Sequence, residues 1–337
     1  MGFLTNIDWV LTLACFGIGI VVGLTGMGGG ALMTPVLVLF FNIPPLTAVS
    51  SDLVAAAVMK PVGSWVHWRN GTVNLDLVKW LCIGSIPAAF SGVFILKALG
   101  HSEELDANIK LALGVALLIA AAGLIFRAYS RLVERARKRD GILPPENKDR
   151  PDVVVRKLPT IAVGALGGLI VGMTSVGSGS LIIIALMLLY PTLKASNLVG
   201  TDLVQAVPLV ASAALAHILF GDFEMSLTTS LLLGSIPGVW IGAQLSSRAP
   251  GGIVRRALAF VLLASALKLL GVSNQATGLI LVSALIVAPL VWMAVRRRHG
   301  FPALAPPRGK RSTLPTASGQ VDTSDTETTS DAPRSAK

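Results

Sequence analysis

Runs of apolar residues long enough to cross a bilayer recur along the whole chain, and nothing else in the sequence constrains its fold as strongly. A helix needs about 20 such residues to span the hydrocarbon core. Windows of that length fall at 9–41, 46–68, 77–99, 107–127, 158–190, 196–220, 226–247, 252–270 and 274–295. Only 14% of the residues are charged, mean hydropathy is +0.72, and the charges cluster in short stretches between the windows. A soluble globular domain carries about 25% charged residues spread over its surface, so lipid must be the main solvent here. The expected class is an all-α polytopic membrane protein with about 8–10 membrane segments.

The formal charge of +10 does not point to nucleic acid. Lys and Arg sit mainly in the 127–157 stretch, which holds ten of them against five Asp/Glu, and from Arg296 onward. That is the pattern of cytoplasmic membrane loops. Cys15 and Cys82 both lie inside apolar windows, which excludes a disulfide framework and a CxxC metal site and leaves buried packing thiols. Met1 to Asp8 has no basic region and the first apolar run is too long for a cleavable signal peptide; Asn6 stands where a myristoylation signal wants Ser or Thr.

An internal repeat is visible by eye. Gly23-Leu-Thr25-Gly-Met-Gly28-Gly-Gly30 reads against Gly172-Met-Thr174-Ser-Val-Gly177-Ser-Gly179 at an offset of 149. Ser51-Asp52-Leu53 matches Thr201-Asp202-Leu203, His67 matches His217, Gly71 matches Gly221 and Gly84-Ser-Ile-Pro87 matches Gly234-Ser-Ile-Pro237, all 150 apart. The expected organisation is a first transmembrane repeat over 1–127, a basic cytoplasmic loop over 128–157, a second repeat over 158–272, an extra helix over 273–296 and a disordered cytoplasmic tail over 297–337. Pro144-Pro145 should break any helix in the loop.

Parity then speaks to topology. If every window crossed once, the two basic segments would lie on opposite sides of the membrane. The windows 9–41 and 158–190 are too long for one crossing, since 33 residues of helix measure about 50 Å against a core of about 30 Å. Each holds a Gly cluster near its middle. Breaking both into hairpins or paired short spans gives each half an odd number of crossings, brings both basic segments inside and makes the repeats inverted. Many secondary transporters are built this way, with substrate held where broken helices of the two halves meet.

The Gly clusters carry the strongest functional signal, because non-helical backbone at membrane depth is tolerated only where it is buried in protein or lines a cavity. Gly26, Gly28, Gly29 and Gly30, and Ser175, Gly177, Ser178, Gly179 and Ser180, could present backbone N–H groups to an anion, with Thr25 and Thr174 adding hydroxyls. The rival reading is close helix packing, which wins for the spaced series Gly19/Gly23, Gly164/Gly168/Gly172 and Gly234/Gly238/Gly242. No strand precedes the clusters and no Gly-Lys-Ser/Thr follows them, so a nucleotide site is disfavoured.

Asp52 and Asp202 read either as proton carriers or gates, or as acids starting helices near the interface. His67 and His217 close the same two helices; they could shuttle protons, or merely complement a helix dipole. Lys60 stands within an apolar helix where Val210 occupies the matching place; an anion or Asp partner competes with snorkelling. No metal site and no cofactor are expected.

As a set, the Gly-Met-Gly-Gly-Gly and Val-Gly-Ser-Gly-Ser segments, the Ser-Asp-Leu and Gly-Thr-Asp-Leu segments, the two His-bearing helix ends and the two Gly-Ser-Ile-Pro turns resemble the sulfite exporter TauE/SafE family, also called the 4-toluene sulfonate uptake permease family. The resemblance covers about residues 10–270. It implies secondary transport of small, mostly sulfur-containing anions such as sulfite or organosulfonates across the bacterial inner membrane, driven by a proton gradient or another gradient. The expected partners are a small anionic substrate and the lipid bilayer, with a homo-oligomer left open and nucleic acid excluded. Two other classes stay in view. One is a non-transporting scaffold; the other is an intramembrane aspartyl protease with Asp52 and Asp202 as its dyad, although the sequence patterns of such proteases are missing around both.

Overall fold

The computed structural model describes residues 8–25, 29–69, 71, 73–98, 103–140, 154–177, 179, 181–191, 193, 195–246 and 251–301. Among them the secondary structure is helical: α1 (Trp9–Thr25), α2 (Gly30–Phe40), α3 (Pro45–Arg69), α4 (Leu75–Ala98), α5 (Glu103–Arg139), α6 (Lys157–Thr174), α7 (Leu181–Leu189), α8 (Ala195–Phe220), α9 (Met225–Ser246), α10 (Gly251–Leu269) and α11 (Asn274–Arg298). Six of these, α4, α5, α6, α8, α9 and α11, are long and apolar enough to cross a membrane. Both overlong windows are broken, into α1/α2 and α6/α7.

Two glycine seams hold the bundle. A Cβ on Gly234, Gly238 or Gly242 of α9 would lie 2.1, 2.3 or 2.2 Å from the carbonyl oxygen of Thr12, Phe16 or Ile20 of α1. On the α4–α6 seam, a Cβ on Gly164, Gly168 or Gly172 would lie 2.3, 2.4 or 2.3 Å from the carbonyl of Leu81, Ser85 or Ala89. Real Cβ atoms do not come so close, so only glycine lets these backbones touch. The ascending pairings also show that α1 runs parallel to α9, and α6 to α4. The Gly-Ser-Ile-Pro segments, expected as turns, lie inside α4 and α9. Proline is tolerated inside membrane helices where neighbouring helices can re-satisfy the backbone groups it frees.

The long helices α3 and α8 run antiparallel. Ser50 near the start of α3 bonds His217 near the end of α8, while Ser64 Oγ, late in α3, donates to Leu203 O, early in α8 (2.7 Å). The loops after them cross over reciprocally: Asn74 N donates to Thr201 Oγ1 (3.0 Å) and Glu224 N to Ser51 Oγ (3.4 Å). These four residues form two pairs of repeat-equivalent positions.

One end of the bundle therefore gathers the end of α3 and the starts of α4 and α8. α5 also finishes there, extending to Arg139, twelve residues beyond where the sequence suggested a loop. Eight of the twelve residues in that extension are Arg, Lys, Glu or Ala, and no Gly or Pro interrupts it before Gly141. Arg139 Nη1 donates to Gly300 O (2.9 Å) and Tyr129 packs edge-on against His299 at 5.8 Å. Both basic stretches thus lie at the same end. α11 is peripheral: Leu279, Leu285 and Val291 on its surface are each more than half exposed in the isolated chain. The tail beyond 301 and the 141–153 stretch lie outside the described residues.

Candidate functional site

The two helix breaks meet. A Cβ on Gly30, where α2 begins, would lie 2.0 Å from the carbonyl oxygen of Ser175, where α6 ends. Ser175 turns left-handed (φ 57°) and its N–H bonds Val171 O at 2.7 Å, capping α6. Gly177 (φ 128°) and Gly179 (φ 100°) follow in conformations that L side chains rarely adopt. Leu181 N then bonds Gly177 O at 3.0 Å and starts α7. The described residues of the second break, 175–177 and 179, are non-helical and buried.

Around it stand the charged residues singled out in the sequence. Asp52 and Asp202 are both 0% exposed. Each lies seven residues into its helix, counted from Pro45 and Ala195, so neither is a cap. Their surroundings differ. Thr34 Oγ1 of α2 donates to Asp52 Oδ2 at 2.6 Å; Oδ1 has no hydrogen-bond partner. The Ser175 hydroxyl stands beside Asp52 without closing a hydrogen bond, itself buried and unpartnered. Asp202 has the Gly179 backbone beside it and lies within electrostatic range of Lys60 and Arg127, but neither carboxylate oxygen has a hydrogen-bond partner. Lys60, part-buried on α3, feels both carboxylates. No hydrogen bond joins the two Asp, so the proton-sharing dyad of an aspartyl protease is not formed.

The remaining candidates divide by what their polar atoms already do. Thr174 Oγ1 donates to Ile170 O (2.6 Å) and accepts from Val176 N (3.2 Å), so its hydroxyl is spent on the local turn. His217 Nε2 lies 2.8 Å from Gly172 O; a carbonyl can only accept, so Nε2 carries the proton, and the neutral ring takes the Ser50 hydroxyl on Nδ1 (2.8 Å). This ring ties α8 to α6 and α3 just below the break. Gly29 is buried and sits against Met59. Gly26, Gly28, Ser178 and Ser180, and the side chains of Thr25 and His67, lie outside the described residues.

Three polar groups escaped the sequence reading. Thr34 is one small residue within the apolar window 9–41. Gln205, one turn past Asp202, is fully buried and donates from Nε2 to Ser85 Oγ (2.7 Å), leaving its Oε1 without a partner. Arg127 looked like the first residue of a loop. The i to i+3 spacing of Asp202 and Gln205 was a signal available in advance, since it places both on one helix face.

An apolar groove of about 410 Å³ opens between α5 and α6, but its lining, which includes Ile119, Ile170 and Met173, brings no charged side chain. The chemistry is at the break. There a buried carboxylate lacks partners, two cations flank it, and a free hydroxyl and irregular backbone lie alongside. Ionisable groups kept unsatisfied at membrane depth mark substrate and ion pathways.

Broken helices meeting inside a polytopic bundle, lined by such groups, define a membrane transporter rather than an enzyme. The chain belongs to the sulfite exporter TauE/SafE family, whose family model matches residues 11–269. It is 42% identical over 257 residues to the probable membrane transporter protein YjnA of Bacillus subtilis (strain 168), covering 75% of this chain and 96% of that one. A second relative from the same strain, the probable membrane transporter protein YdhB, is 24% identical over 249 residues, covering 74% and 94%. No solved structure matches the chain.

Proposed function

We propose that this protein carries a small sulfur-containing oxyanion, such as sulfite or an organosulfonate, across the bacterial inner membrane, with a proton gradient as the driving force. The observation that carries the reading is Asp202: fully buried, without a hydrogen-bond partner on either oxygen, and in range of Lys60 and Arg127 beside the second helix break. An unpaired buried carboxylate is costly and invites a proton. When a substrate anion takes over the attraction of Lys60 and Arg127, Asp202 loses its compensation and takes up a proton, which couples the two movements. Ser175 and the left-handed backbone around Gly177 and Gly179 supply donors for the anion's oxygens.

The antiparallel course of α3 and α8 supports an inverted relation of the two halves, and the shared end of both basic stretches supports a cytoplasmic location for that end. The test is flux of labelled sulfite and of a short organosulfonate into proteoliposomes, with and without an imposed pH gradient. Gradient-dependent flux that Gly177→Val abolishes is the expected result. Flux of neither anion from folded protein would overturn the substrate class.

A further inference from the structure

The seam between α5 and α10 carries a cluster of cations of which the transport site shares only Arg127. These two helices are antiparallel neighbours: a Cβ on Gly114 would press on the Leu270 side chain and lie 3.3 Å from Ala266 O. Following that register toward the end of α5 brings Arg127 opposite the first turns of α10, where Arg255 stands, with Arg131 one turn further along. Arg127 is within electrostatic range of both. α10 opens with no acidic residue in its first turn, so the positive end of its dipole adds to the same spot. Asp202 lies within electrostatic range of Arg127 and is shared with Lys60. The Arg127 Nε is buried and has no hydrogen-bond acceptor.

A guanidinium does not shed its proton, so the repulsion between Arg127 and Arg255 is not relieved by neutralising either of them. A bound anion relieves it. We propose that Arg127, Arg131 and Arg255 form an oxyanion-binding site at the end of the bundle from which the basic segment emerges. Its ligand is a phosphate- or sulfate-like group, whose oxygens match the planar fork of a guanidinium. That chemistry belongs both to the headgroup of an anionic phospholipid and to a free oxyanion waiting to enter the protein. Arg127 links it to the proposed transport site, whereas Arg131 and Arg255 belong to it alone, so the loss of Arg255 tests it separately from sulfite transport.

The experiment is thermal unfolding of the purified full chain in a neutral detergent. One arm adds inorganic sulfate against sodium chloride at matched ionic strength; the other adds phosphatidylglycerol against phosphatidylcholine. At about ten times the dissociation constant, a ligand held by the folded state alone raises Tm by roughly 3 °C. A rise with sulfate in the absence of lipid identifies a free-anion site, and a rise with phosphatidylglycerol alone identifies a headgroup site. Arg255→Gln abolishes the rise, whereas Arg256→Gln, about 100° round the helix, keeps it. Arg127→Lys retains the charge without the fork and weakens the response, which keeps the site testable if Arg127→Gln fails to fold. No rise with either ligand, or an undiminished rise in Arg255→Gln, overturns the proposal. Because the readout is binding, the result stands whatever the flux assay shows.

Discussion

Asp52 and Asp202 occupy matching places in the two halves, yet only Asp52 has a hydrogen-bond donor, the Thr34 hydroxyl at 2.6 Å. Their substitutions should therefore differ in kind. Thr34→Val strips Asp52 of that donor inside a dry core and is expected to destabilise the protein by about 1–3 kcal/mol, read as a lower Tm, while gradient-driven flux survives. Asp202→Asn removes no hydrogen bond. Its Tm should stay within a few degrees of the parent while flux loses its dependence on the pH gradient; unchanged gradient dependence would remove Asp202 from the coupling step. The charged members of this site were legible in the sequence, because a charge in an apolar helix stands out in a single line of letters. Thr34 was not, since its meaning depends on α2 folding back against α3. Nor was Arg127, whose role comes from the pairing of α5 with α10.

At the scale of the helix, glycine spacing separates packing from permissiveness. Gly17 and Gly19 lie two residues apart on α1, but a Cβ on Gly17 meets nothing within 4 Å, whereas one on Gly19 would lie 2.7 Å from Ser235 O. Gly19→Ala should cost about 1–3 kcal/mol through overpacking of the α1–α9 seam. Gly17→Ala should be neutral or gain up to about 1 kcal/mol from helix propensity. Thermal melting of the two variants in one detergent checks the contrast, and equal effects would mean that α1 does not pack on α9 through this face. The seams were readable from four-residue spacing alone, and both breaks from the mismatch between window length and bilayer thickness. The ends of α5 and the helical state of Gly84-Ser-Ile-Pro87 were not. In the first, strong helix formers outlast the apolar run; in the second, tertiary packing overrides the local tendency of proline to break a helix.

At the scale of the whole molecule, the contacts fix which helix ends share a face, and this gives the inverted arrangement a direct test. Leu75 and Met225 occupy equivalent places 150 residues apart, open α4 and α9, and are 56% and 57% exposed. Asn74 beside Leu75 is bonded to the start of α8, whereas Glu224 beside Met225 is bonded to the start of α3, and those two starts lie at opposite ends of the bundle. After replacement of Cys15 and Cys82 by Ser, single cysteines at these places should react with a membrane-impermeant maleimide from opposite sides. Leu75→Cys should label together with Asp140→Cys and His299→Cys, which sit at the Arg139–Gly300 contact. Met225→Cys should label together with Asn42→Cys in the connection before α3. If the basic end faces the cytoplasm, right-side-out vesicles will label only the second group, and inverted vesicles only the first. Labelling of Leu75→Cys and Met225→Cys from one side would mean that equivalent helices cross in the same direction. The meeting of the two breaks at Gly30 and Ser175 would then have to arise without a two-fold relation between the halves.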